Sequence, residues 1–216
     1  MSDVRWPPLL IASLAAGLVY PLLWNSGLAA PAMIALKGMG VGLLAVLAIT
    51  QAQRADGWLL AAVMSFGALG DVLLDVRFEA GVVAFGIGHM VAIALYWRNR
   101  RSVVTVSQRV LAAALLLFGT TMPFLLIDTD DPRLVGLVGY SLLLSAMAAM
   151  AWLSRFPRYR TGVGAVMFVI SDALIAARMG PLADAAWANY AIWLLYYVGQ
   201  LLIFLGVSAT LRKDRT

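Results

Sequence analysis

Long apolar runs dominate the chain, and polar residues interrupt them at intervals that suit membrane-crossing helices. A helix needs roughly 20 apolar residues to cross the hydrocarbon core of a bilayer. The runs predict eight spans, at residues 9–24, 28–50, 58–76, 80–97, 110–127, 134–153, 162–177 and 185–207. The connections are short and leave no room for a soluble domain, so residues 1–216 read as a single all-α membrane domain. The weakest boundaries are Asn25-Ser26-Gly27 and Arg77-Phe78-Glu79, and merging two runs there would reduce the count to seven. Pro31 and Pro123 stand inside runs and are expected to interrupt them. No internal repeat or low-complexity tail is evident.

Charge tests the count independently. With the N-terminus inside, the inner loops and ends carry Arg5, Arg54, Arg98, Arg100, Arg101, Arg109, Arg155, Arg158, Arg160, Arg212, Lys213 and Arg215. The outer loops carry Arg77, Arg133 and Arg178, together with the acidic cluster Asp128, Asp130 and Asp131. This asymmetry follows the positive-inside rule, and a missed or extra helix in the middle would break it. Eight spans with both termini cytoplasmic, in the inner membrane of the cell, is the expected topology.

Composition narrows the chemistry. The chain is 62% hydrophobic and 12% charged, far from the soluble mean of about a quarter charged. Seven Trp and seven Tyr suit two lipid interfaces. The net charge of +5 is explained by topology rather than by nucleic-acid binding, because the basic residues lie between apolar runs. With no Cys there is no thiolate chemistry, and one His excludes a site built from several imidazoles. The N-terminus lacks the features of a signal peptide.

Ionisable residues inside spans are costly and mark function by default. They are Lys37, Asp71, Asp75, His89 and Asp172, joined by the hydrogen-bonding groups of Tyr96, Tyr140, Ser171, Tyr196, Tyr197 and Gln200. At ~1.5 Å of rise per residue, Lys37 and His89 lie ~14 Å from the outer ends of their helices. Asp71 and Asp172 each precede an outer Arg by about six residues, or ~9 Å. Tyr140 and Tyr196 fall at a similar depth, with Gln200 one turn deeper on the face of Tyr196. The polar groups thus predict one slab in the outer half of the membrane. Gly38, Gly40, Gly67, Gly70, Gly86 and Gly88 flank them, which permits close helix approach or leaves space for a ligand.

Structural readings stand beside the functional ones. Lys37 paired with an Asp would simply fasten two helices. Asp75 is near the interface, where a solvated carboxylate needs no function. A lone His on an apolar helix is often a hydrogen-bonded core residue, and the tyrosines suit packing or the interface equally well. Asp71 and Asp172 are hardest to dismiss, because two mid-span carboxylates have no cheap structural role.

At these residues the chain resembles the YhhN family of membrane proteins, which includes lysoplasmalogenases. Ser65-Phe66-Gly67-Ala68-Leu69-Gly70-Asp71-Val72-Leu73-Leu74 is similar to that family's Gly-Asp-x-x-Leu helix. Phe78, Gly81, Phe85 and His89 match the spacing of its next helix. Val169-Ile170-Ser171-Asp172-Ala173-Leu174-Ile175-Ala176 resembles its Ser-Asp-x-x-Leu-x-Ala helix. Tyr196-Tyr197-Val198-Gly199-Gln200-Leu201-Leu202 resembles its closing Tyr-x-x-Gln-Leu-Leu segment, and Lys37 matches a lysine of its second span. Ala92 stands where the family often has Tyr, Gly38 where Pro often follows the Lys, and Asp75 where an apolar residue is common. The resemblance implies hydrolysis of the vinyl ether bond of lysoplasmalogens to a fatty aldehyde and a glycerophospho-head group. It implies a lysophospholipid substrate taken from membrane lipids, and no metal or organic cofactor.

The residues suit that chemistry. A vinyl ether opens when its β-carbon is protonated, and water captures the resulting oxocarbenium ion. Two carboxylates held in different protonation states divide the acid and stabilising roles, as in glycosidases. Asp71 and Asp172 are the expected catalytic pair, with Lys37 keeping one of them ionised. Lys37, His89, Tyr140, Ser171, Tyr196, Tyr197 and Gln200 are the expected substrate-binding groups. The main alternative is a small-molecule or proton-coupled transporter, with the buried charges as a relay. Such folds often show inverted repeats, which this chain lacks. A zinc hydrolase wants more than one His. A purely structural protein does not account for the aligned slab.

Overall fold

The computed structural model describes residues 8–214. Eight α-helices follow one another: α1 Pro8–Val19, α2 Ala30–Gln51, α3 Ala55–Val76, α4 Phe78–Arg98, α5 Val106–Leu126, α6 Leu134–Leu153, α7 Val163–Ala177 and α8 Ala186–Lys213. A 3₁₀ turn, Tyr20–Leu23, extends α1, and a π-helical turn, Arg158–Gly162, leads into α7. No strand occurs among the described residues. Six of these helices, and α7 taken with its π-helical turn as Arg158–Ala177, are long and apolar enough to cross a membrane, whereas Pro8–Leu23 is shorter. Arg5 and Arg215, both counted in the charge asymmetry, lie outside the described residues.

Local chemistry sets the helix ends. Both weak boundaries are real breaks. Arg77 alone links α3 to α4, in extended conformation at φ −154° and ψ 103°. That tight link brings α4 against α3 so closely that a Cβ at Gly81 would lie 2.6 Å from Leu74. The other break turns at Gly27, whose φ of 77° is the left-handed region that glycine enters freely. Pro31 does not interrupt a helix. It sits in the first turn of α2, where the missing N–H would have no intrahelical partner anyway. Pro123 does lie within α5, near its end. Helix α5 begins four residues before the apolar run because Thr105 and Gln108 form a capping box, with the Thr105 N–H donating to Gln108 Oε1 at 2.9 Å. Helix α8 continues to Lys213, six residues beyond its apolar run, since nothing in that stretch breaks it and Arg212 and Lys213 suit a helix C-terminus.

Large apolar side chains face outward on every helix, including Ile11, Val46, Leu69, Met90, Leu117, Val135, Ile170 and Leu194. A water-soluble chain rarely exposes large apolar side chains on all of its helices. Trp58, Trp97 and Trp187, near helix ends, are exposed as well, which suits indole rings at a membrane–water interface.

The chain divides into two compact units, the division falling on α4 between Gly88 and His89. In the first unit α2 packs on α1 and α3. Ser13 Oγ donates to the carbonyl of Gly40 at 2.6 Å, joining α1 to α2. Leu10, Val41, Leu44, Leu60 and Met64 form its core. In the second unit α5 packs on α6 and α7 on α8. Gly164 and Gly199 let α7 and α8 nearly touch, since a Cβ at Gly164 would lie 2.5 Å from the Gly199 carbonyl oxygen and one at Gly199 2.7 Å from that of Gly164. Small residues serve membrane helices in this way because backbones must approach closely to gain dispersion energy.

Candidate active site

Three of the mid-span ionisable residues lie in the first unit. Lys37 on α2 donates to Asp75 Oδ1 on α3 at 2.8 Å. The pair is unevenly buried, Lys37 being 12% exposed and Asp75 37%. The helix-fastening role is therefore filled by Lys37 with the carboxylate nearer the end of α3. Asp71, one turn earlier on the same face, is 2% exposed. Beside it, Gly70 lies against the Phe85 ring, where a Cβ would come within 2.7 Å of the ring carbons.

The second unit gathers a different kind of cluster. Tyr140 on α6 donates its phenolic hydrogen to Asp172 Oδ2 on α7 at 2.9 Å. His89 Nε2 on α4 lies 3.3 Å from the same phenol oxygen. Because Tyr140 gives its hydrogen to Asp172, its oxygen is the acceptor in the second contact, which assigns the hydrogen to Nε2 of His89. Three helices thus contribute one relay, imidazole to phenol to carboxylate. His89 is buried, whereas Tyr140 and Asp172 are half-buried. Among the described residues Asp172 makes no ion pair.

Aromatic rings wall the relay. Phe168, one turn before Asp172 on α7, meets His89 edge-on at 5.0 Å between centroids and Tyr196 of α8 edge-on at 5.1 Å. Trp193 packs on Tyr196 at 5.7 Å and stacks on Tyr197 at 6.1 Å. Phe168 and Trp193 were not among the candidates named from sequence. Their signal was present in the helical spacing, Phe168 four residues before Asp172 and Trp193 three before Tyr196, but buried apolar rings look the same in any core.

The remaining candidates divide by role. Ser171 Oγ donates to the Ile192 carbonyl at 2.9 Å, so its hydrogen fastens α7 to α8. Tyr197 is fully buried against Trp193. Gln200 is 2% exposed and its Oε1 has no hydrogen-bond partner among the described residues. A buried acceptor left unmatched costs about 1–3 kcal/mol. The Tyr96 ring meets that of Phe156 edge-on at 6.1 Å between centroids, and its hydroxyl is buried and unmatched among the described residues. Among the described residues, no three His, Cys, Asp or Glu side chains are placed to hold a metal ion.

The YhhN family model matches residues 32–207, most of the chain. The chain belongs to the YhhN family. With seven helical segments among the described residues long and apolar enough to cross a bilayer, this YhhN chain is a multi-pass membrane protein. All nine residues nominated from sequence, Lys37 through Gln200, fall inside the YhhN match, whereas α1 precedes it. Two curated relatives, each named lysoplasmalogenase, come from Mycobacterium bovis and Mycobacterium tuberculosis. Each is 30% identical over 161 residues, covering 71% of this chain and 61% of the relative. The chain therefore spans about 61% of the length of these curated relatives. No solved structure is a significant match.

Proposed function

We propose that this YhhN protein is a lysoplasmalogenase-like hydrolase that cleaves the vinyl ether bond of a lysophospholipid inside the membrane. The observation that carries the reading is the carboxylate of Asp172, hydrogen-bonded by Tyr140, in a chain whose relatives are named lysoplasmalogenase. The reaction consumes one water. A proton adds to the β-carbon of the vinyl ether, giving an oxocarbenium ion. Water attacks the carbon bearing the ether oxygen and loses a proton, forming a hemiacetal. The hemiacetal C–O bond then breaks, releasing the aldehyde and returning a hydroxyl to the glycerol.

Asp172 serves one half of this proton traffic, and Tyr140 and His89 hold it in place. General acid–base catalysis by a positioned group contributes typically 10²–10⁴-fold. The second carboxylate is Asp71, assigned from its Gly-Asp-x-x-Leu segment alone. Gln200 Oε1 takes a hydroxyl of the substrate or the attacking water, while Tyr196 and Tyr197 shape the wall against which the alkenyl chain lies. Ser171 supports this arrangement through α8 rather than by touching substrate.

The topology belongs to the same reading. Pro8–Leu23 is the first of eight crossings, its helix and 3₁₀ turn rising ~26 Å against a core of ~30 Å. Both termini face the cytoplasm, on the strength of the basic inner loops, and the cell's inner membrane is the site of action.

The test is incubation of purified protein with a vinyl-ether lysolipid, its saturated ether analogue and an acyl lysolipid. Aldehyde from the first alone is expected. Release of fatty acid from the acyl lysolipid, or no product from any of the three, would sink the reading. Liposome flux without hydrolysis would move the protein to the transporter class.

A further inference from the structure

The end of the second unit that carries the α5–α6 turn holds a guanidinium that the relay does not use. Arg133 caps α6, seven residues before Tyr140. Seven residues are two helical turns, so Arg133 and Tyr140 share one face, ~10 Å apart along the axis. Arg133 directs Nε and Nη2 to the carboxylate of Asp131, at 3.0 Å to Oδ1 and 2.6 Å to Oδ2. Its Nη1 meets the Met179 sulfur, just past the end of α7, at 3.8 Å. A thioether is a weak acceptor. The Nη1 hydrogens, and one on Nη2, therefore remain available at a side chain that is 62% exposed.

We propose that Arg133 grips the phosphodiester of the lysolipid and so fixes the vinyl ether at the depth of Tyr140 and Asp172. This rests on the hydrolase reading above. The lengths agree: seven bonds separate the vinyl β-carbon from phosphorus, roughly 9 Å when extended at standard bond lengths. Arginine suits the task because its planar fork matches phosphate oxygens in pairs. Asp131 competes for the same fork, which makes head-group binding an exchange of one anion for another. The exposed carboxylates Asp128 and Asp130 on the same turn favour a head group that carries an amine beyond its phosphate over a bare phosphate.

The test separates binding from hydrolysis. The probes are a saturated-ether lysolipid bearing phosphoethanolamine and the same ether glycerol lacking phosphate. Neither is a vinyl ether, so affinity is read without turnover, using the full-length protein in detergent. Wild type is expected to bind the phospholipid at least tenfold more tightly than the ether glycerol. Arg133→Gln removes that preference while leaving ether-glycerol affinity unchanged, and Arg133→Lys keeps part of it. Asp131→Asn frees the fork and tightens phospholipid binding a few-fold, a gain that a purely structural Arg133–Asp131 pair would not produce. Equal binding of both probes by wild type, an undiminished preference in Arg133→Gln, or weaker binding in Asp131→Asn overturns the proposal. A head-group preference retained alongside no aldehyde release overturns the hydrolase reading instead and leaves Arg133 a phosphodiester ligand.

Discussion

The two units solve the same problem, a carboxylate in an apolar helix, in opposite ways. In the first, Asp75 meets the ammonium of Lys37 at 2.8 Å, near a helix end and 37% exposed. Opposite charges cancel there, and water reaches the carboxylate that would be left if the lysine were removed. In the second, Asp172 meets a phenol and no cation among the described residues, and the phenol is backed by an imidazole. An ion pair is complete in itself. A carboxylate bonded to a neutral hydroxyl remains able to exchange a proton with whatever enters beside it. The contrast separates a fastening between helices from a group that chemistry can use, although both began as mid-span acids in the sequence.

The sharpest way to break this comparison is Asp172→Asn. Asparagine still accepts from Tyr140, so the fold should keep its melting temperature while aldehyde release falls by about 10²–10⁴-fold. Initial rates on purified, folded protein decide it, and near-wild-type turnover would return Asp172 to a structural role. Tyr140→Phe should follow with a loss of about 10–100-fold, the range expected when a hydrogen bond to a charged group is removed. A rate unchanged within twofold would show that Asp172 acts without the relay. In the first unit the effects should be smaller and should fall on stability. A double-mutant cycle over Lys37→Met and Asp75→Asn, read by unfolding in a denaturing detergent, is expected to give a coupling of about 1 kcal/mol or less. A coupling several times larger would place that pair among buried ion pairs and erase the distinction.

The smallest effect concerns a second ion pair, at the α5–α6 turn. Arg133 holds the Asp131 carboxyl down at about 2, mainly through its side-chain and backbone hydrogen bonds. A depressed folded-state value stabilises above the ordinary carboxylate value of 3.8, and that contribution fades as the pH falls through about 2. Arg133 is 62% exposed and solvent screens the pair, so only a slight drop in melting temperature should appear within this window. It should vanish in Arg133→Gln. A drop of equal size in that variant would assign the acid sensitivity elsewhere.

Much of the fold was legible because its signals are local. Span 134–153 coincides with α6, and α3 ends where its apolar run ends. Where the ends moved, the cause was a polar device within the helix. The capping box at Thr105 lengthened α5 backwards, and basic residues allowed α8 to run on to Lys213. The candidate site was legible as a set of residue types and positions along their helices. Its partnerships were not. Lys37 reads the same whether it faces Asp71 or Asp75, since one turn of α3 separates them and the difference is a matter of reach. Ser171 precedes Asp172 in the chain, but its hydroxyl turns to the Ile192 carbonyl because adjacent helical positions point about 100° apart.

By itself, the sequence determined that apolar helices would form, where most of them would break, and at what position along its helix each acid, phenol and imidazole would lie. Those outcomes follow from run length, turn residues and a rise fixed for every helix. The tertiary structure decided which groups met. Helix rotation and separation are set by packing, through contacts such as Gly164 on Gly199, and no single helix's periodicity contains them. That packing placed the phenol of Tyr140 on Asp172 and turned one mid-span acid into part of a relay, while Asp75 became half of an ion pair.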